Sequence, residues 1–180
     1  MENPIRTEEY KDHTIKIYLD EYSESPREWD NLGTMVCFHR NYILGDIHDF
    51  SVDELKKLVR RSDVVSLALY LYDHSGITMS TTRDKWPFNC PWDSMQVGYI
   101  FATKDRIRKE FDRKRVTNKL IRKVHEILRS EVGIYDVYIR GDVIGYEIVN
   151  QEEEVVDSCW GYFNIEHLLE DAKGVIDGSK

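Results

Sequence analysis

Residues 135–163 read YDVYIRGDVIGYEIVNQEEEVVDSCWGYF, and this stretch decides the fold. Residues 135–140, 143–149 and 155–163 are short runs rich in Val, Ile, Tyr and Phe, as strands are. Gly141-Asp142 and the acidic run 151–154 separate the segments, and both suit tight turns. Three strands joined by short turns form a meander, and a meander is antiparallel. The same logic extends outward. His13–Leu19 alternates with Ile15, Ile17 and Leu19 on one face, and 34–39 is a further strand candidate. Residues 63–72 are apolar on both faces, as in a central strand, and 77–81 return beside them across Ser75-Gly76. Residues 96–102 complete the set.

Helices fall between these strands. Ser51-Val52-Asp53-Glu54 is a capping box, so a helix starts at Ser51 with Leu55, Leu58 and Val59 turned inward. Thr103 caps a short helix carrying Ile107 and Phe111. Thr117 caps a longer one whose Leu120, Ile121, Val124, Ile127 and Leu128 make a helical stripe. Asn164 caps a terminal helix with Leu168 and Leu169, and the tail after Gly174 frays. The expected fold is α+β: one mainly antiparallel sheet of about six to seven strands with three to four helices packed on one side. The expected organisation is a single domain over 1–180 with its ordered core at roughly 13–172.

Composition narrows the function classes. With 41% hydrophobic and 12% aromatic residues the chain can build a core despite 32% charged residues. No apolar run approaches the roughly 20 residues of a membrane span. The N-terminal MENPIRTEEYKD is polar and shows no secretory signal. Cys37, Cys90 and Cys159 are odd in number and widely spaced, against a disulfide framework. The expectation is a reduced, cytoplasmic protein. Its net charge of −8 is uneven: residues 104–129 hold 11 Lys+Arg against 4 Asp+Glu, a local +7, leaving −15 elsewhere. A bipolar surface follows, with a basic face for phosphates and an acidic one for a basic partner. Arg113, Lys114, Arg115, Lys119 and Arg122 are the phosphate candidates, with Arg106 and Lys109 beside them. The solvated face of an ordinary helix carries the same residues, and no nucleic-acid-binding signature is present.

Candidate chemistry concentrates in three loop-like stretches, 20–46, 73–82 and 86–94. Asp20, Glu21, Asp30, Asp46, Asp73 and Asp93 fall there or at strand ends. Converging carboxylates hold Mg²⁺ or Mn²⁺ for phosphodiester cleavage, and a single one acts as a general base without metal. The spacing matches no fixed metal motif, so the metal stays open. Glu21 is the leading candidate, since it follows a strand end and precedes a polar, proline-containing loop. Asp20, Asp30 and His39 are its possible supports. Cys37, His39, His74 and Cys90 would make a two-thiolate, two-imidazole zinc set if three distant segments converged. Trp29, Trp86 and Trp92 either stack on bases or lock loops to the sheet, whereas Trp160 is expected to be buried.

The blocks SPREWDNLGTMVCFHRNYILGD, LYLYDHSGITMSTT, CPWDSMQVGYIF and DSCWGYF resemble a family of small proteins carried by phages and other mobile elements. Among characterised proteins they look most like streptococcal-type anti-CRISPR proteins directed at the type II-A RNA-guided nuclease. The resemblance covers about residues 15–163. It implies an antagonist inside the host bacterial cell, with the type II effector and its guide RNA as partners. It further implies guide-RNA shortening in the presence of the effector, a ribonuclease-like activity needing an acidic pocket residue. Glu21, in YLDEYSESP with Asp20 as its neighbour, is the best-matching position. Two other readings stay open. One is a stoichiometric inhibitor whose acidic face occupies the effector's nucleic-acid channel. The other is an unrelated metal-dependent hydrolase or zinc-stabilised binding module.

Overall fold

The computed structural model describes residues 3–85 and 87–178. In chain order the elements are β1 (Arg6–Tyr10), β2 (His13–Leu19), a 3-10 turn (Pro26–Glu28), β3 (Thr34–Cys37) and α1 (Val52–Val59). They continue as β4 (Val64–Asp73), β5 (Ile77–Ser80), β6 (Ser94–Thr103), α2 (Lys104–Glu110) and α3 (Asn118–Ile139). The last three are β7 (Ile144–Val149), β8 (Val155–Tyr162) and α4 (Ile165–Gly178). Among the described residues the fold is α+β and every strand pairing is antiparallel, with two four-stranded sheets rather than one larger sheet. The chain divides into two compact units. One is built from residues up to Ser25 and from Val137 onward, the other from Pro26–Asp136.

In the first unit the strand order is β1-β2-β7-β8. Ile15 and Ile17 pair across the ladder with Ile148 and Tyr146, so alternate residues of β2 and β7 share one face. Leu168, Ala172 and Ile176 of α4, at four-residue spacing, close onto that face and complete a buried cluster. Asn164 caps α4 as expected, its Oδ1 accepting the amides of Glu166 at 2.7 Å and His167 at 3.1 Å. The helix does not fray at Gly174: it continues to Gly178 because Ile176 is buried in the cluster. β1 is an edge strand that the sequence reading did not contain. Its RTEEY is too polar to show an apolar period, and it is placed by pairing to β2 across a turn with Lys11 at φ 54°.

Residues 135–140 depart from expectation: 135–139 are the last turns of α3 and Arg140 the turn after it, not a strand. Val124, Leu128, Val132 and Tyr135 carry the helical stripe on, and nothing breaks it before Gly141. Gly141, at φ 71°, ends the helix with its amide on the Tyr138 carbonyl, while the Asp142 amide reaches Val137. That pair of bonds is a Schellman cap, so Gly141-Asp142 stops a helix rather than turning a hairpin.

In the second unit the order is β3-β6-β4-β5, with β4 inside the sheet as its apolar faces required. Helices lie on both faces, because successive residues of β6 point opposite ways. Phe101 packs with Leu55 of α1 and Val36. Its neighbour Ile100 meets Leu128 of α3 where Gly33 leaves no room for a Cβ. The expected capping box of α1 is present: Ser51 Oγ accepts the Glu54 amide, and Glu54 Oε2 accepts the Ser51 amide at 2.9 Å. Thr103 and Thr117 cap α2 and α3 as expected.

Candidate nucleic-acid interface

The most distinctive charged feature lies in the second unit where α2 hands over to α3. The Phe111 amide bonds back to Ile107, Asp112 takes φ 47°, and the Arg113 amide caps the Arg108 carbonyl at 2.9 Å. This reversal throws residues 112–115 into solvent. Thr117 then restarts the chain as a helix, its Oγ1 accepting the Leu120 amide at 3.3 Å. Between the reversal and the first turns of α3 lies a groove of about 720 Å³. Arg113, Arg115, Lys119, Arg122 and Lys123 line it against one carboxylate, Glu126. Phe111 and Leu120 give it an apolar floor, and Lys123 sits 5.1 Å over the Phe111 ring. The first turn of α3 adds the positive end of a 22-residue helix. Four of the five phosphate candidates thus meet at one groove. Lys114 is exposed in the same reversal but does not line it.

The wall carrying these cations is fixed by buried polar contacts that sequence reasoning missed. Glu131, further along α3, accepts the Leu32 amide at 2.8 Å and the Gly33 amide at 3.1 Å. Arg27, from the 3-10 turn, donates to Glu131 at 3.3 Å, to both oxygens of Asp46 at 2.7 and 3.0 Å, and to the Gly33 carbonyl at 2.7 Å. The side chains of Arg27 and Glu131 are only 5% and 10% exposed. Burial pushes the Glu131 carboxyl above its ordinary range, against the pull of the Gly33 amide and Arg27. Asp136 accepts the Met79 amide at 2.6 Å and the Thr78 hydroxyl at 2.7 Å, tying α3 to β5. Only Asp46 of this set had been singled out. Arg27 and Glu131 carry no local signature, because their meaning lies in a contact between distant segments.

The acid–base candidates sit elsewhere. Asp20 and Glu21 belong to the first unit, Asp30 and His39 to the second. Asp20 Oδ1 accepts the Tyr22 amide at 3.2 Å and its own amide bonds to Val143, so it shapes the turn after β2. Glu21 is exposed on that turn. Asp30 is fully exposed, 3.8 Å from Arg106, which also bonds the Asn31 carbonyl and takes no part in the groove. His39 Nδ1 accepts the Asn41 amide at 3.2 Å and its ring stacks on Tyr42 at 4.9 Å.

Among the described residues no three His, Cys, Asp or Glu are arranged to hold a metal ion. The four-residue zinc set does not form. Cys37 is buried and its thiol is pushed up to about 12, chiefly by burial. Cys90 and His74 instead flank Asp93, at 3.5 and 3.8 Å.

Of the tryptophans, Trp92 is exposed and Trp86 lies outside the described residues. Trp160 is half-exposed rather than buried. Its ring lies over Gly145, where a Cβ would come within 2.2 Å, and tilts against Tyr18 at 6.1 Å. No helix among the described residues is long and apolar enough to cross a membrane. Compared with known proteins, the chain matches no family model, no curated protein and no solved structure.

Proposed function

We propose that this protein antagonises a type II RNA-guided nuclease in the cytoplasm of a bacterial host, gripping the phosphate backbone of the guide RNA in the α2–α3 groove. The observation that carries the reading is the groove itself: five cations face one carboxylate around a cleft with an apolar floor. Phosphate contacts supply affinity without sequence readout, and an aromatic floor suits an unstacked base. The choice of target rests on the resemblance of the loop blocks to anti-CRISPR proteins.

Guide shortening is part of the same proposal, with Glu21 as general base: it takes the proton of a guide 2′-hydroxyl as that oxygen attacks the adjacent phosphorus, the P–O5′ bond breaks, and water protonates the departing 5′-oxygen. Glu21 is exposed on the turn after β2. The test is guide RNA incubated with the protein, with and without the effector, beside a lane containing EDTA. Shortened guide only when both proteins are present supports the reading, and EDTA then reports on a divalent metal. Glu21→Gln is expected to abolish shortening while leaving binding intact; cleavage by that variant removes Glu21 from the mechanism.

A second reading is favoured by the charge outside the groove. The β7–β8 turn exposes Glu152, Glu153 and Glu154 in succession, and Asn150 Oδ1 orders it by accepting the Glu152 and Glu154 amides at 2.9 Å. Such a surface competes with nucleic acid for a cationic channel. Inhibition that leaves the guide intact and fades as salt rises would select it.

A further inference from the structure

Tyr42, Ile43, Ile47, Phe50 and Val52 are all exposed large apolar side chains, and they fall within one short stretch before and into α1. Ile43 and Ile47 are as open to water as in an extended chain, at 99% and 102%. Covering such side chains is favourable, and clustered exposure of this kind marks an interaction site. Ile47 and Phe50 border a cleft of about 880 Å³ whose other side is one face of α1 and its C-terminal extension: Glu54, Lys57, Leu58 and Arg61. Those four fall at helical spacing in the order acid, base, apolar, base.

We propose that this face joins two copies of the chain, with α1 packed antiparallel against its counterpart about a two-fold axis near Lys57 and Leu58. In that arrangement Glu54 of each copy faces Arg61 of the other, and the two helix dipoles oppose. A parallel arrangement would set acid on acid and base on base. Each of these side chains keeps an atom for the exchange. Glu54 spends Oε2 on both Ser51 bonds, which leaves Oε1. Arg61 holds Asp63 through Nε and Nη2, which leaves Nη1. Phe50 directly precedes Ser51, the N-cap of α1, so its ring comes over the Arg61 end of the second copy, with Ile47 bordering the same cleft. There a guanidinium over a ring and an aliphatic stem on isoleucine add to the ion pairs.

Light scattering behind size exclusion, over a concentration series reaching roughly millimolar, tests this with the full chain. The mass is expected to rise from one chain to two. Ile47→Asp and Arg61→Glu, both at exposed positions, should each weaken association by about tenfold or more, near 1.4 kcal/mol. Circular dichroism checks that the fold persists. Adding Glu54→Arg to Arg61→Glu restores opposite charges across the axis and should recover dimers. A one-chain mass throughout the series overturns the proposal, and so does a dimer indifferent to both single substitutions.

Discussion

Arg27 and Glu131, 104 residues apart in sequence, meet at 3.3 Å with both side chains almost fully buried. Removing one partner of a buried pair strands the other, which typically costs about 3–5 kcal/mol. Arg27 also holds Asp46 and the Gly33 carbonyl, so Arg27→Ala leaves several acceptors unfilled. A loss of that order is expected in urea denaturation. A change below about 1 kcal/mol would mean that water replaces the guanidinium without penalty.

The groove makes a prediction in salt. Each phosphate contact removed should lower the slope of log affinity against log salt by about 0.7 for a single strand. Arg113→Ala, Lys119→Ala and Arg122→Ala are each expected to do so, with the far-ultraviolet spectrum unchanged. Lys114→Ala should have the smaller effect, because Lys114 stands outside the groove lining. Fluorescence anisotropy with a labelled guide RNA reads both quantities.

The capping box makes a prediction in pH. Hydrogen bonds from Ser51 hold the Glu54 carboxyl below its ordinary value. A depressed folded pKa contributes stability that is complete above the ordinary glutamate range and drains away as pH falls through the folded value. Ser51→Ala should cost about 1 kcal/mol near neutral pH and move the Glu54 titration up towards its ordinary range, the backbone amide at position 51 and Lys57 keeping part of the depression. Carboxyl-carbon NMR follows that titration directly.

Cysteine labelling should be sharply selective. Burial keeps Cys37 protonated at every working pH, with its thiol pushed up to about 12, whereas Cys159 is exposed on β8. Iodoacetamide at mildly alkaline pH is expected to modify Cys159 and to spare Cys37 until the chain unfolds. Mass spectrometry of the labelled peptides gives the order.

Gly145 is a packing glycine. A methyl group there collides with the Trp160 ring, with nearest atoms at 2.2 and 2.5 Å. Gly145→Ala is expected to destabilise by about 1–3 kcal/mol and to alter tryptophan fluorescence as the ring moves off Tyr18.

Local rules made most elements legible. The Ser51 box, the Thr103 and Thr117 caps and the both-sided apolar run of β4 each announce themselves within a few residues. Residues 135–140 misled because Tyr135, Val137 and Ile139 alternate as a strand would, although Val124, Leu128, Val132 and Tyr135 lie on one helical stripe. Choosing between those periods required knowing that the preceding helix had not ended. The division into two sheets was beyond reach for a different reason. Ile17 pairs with Tyr146 across nearly the whole chain, and periodicity says which face a residue buries, not which strand it meets. Four groove cations were visible as charge, while the reversal at Asp112 that gathers them was not. Nothing in the sequence around Glu21 foretold how exposed it is.

The pairing of β2 with β7 also sets an order of events as the chain is made. The segment Pro26–Asp136 is continuous, so all partners of its sheet emerge together and can assemble during synthesis. β1 and β2 are made long before β7, β8 and the covering α4, so their sheet cannot close until those later segments emerge. Ile15 and Ile17 therefore wait for partners made more than a hundred residues later, and this sheet closes after the one that precedes those partners.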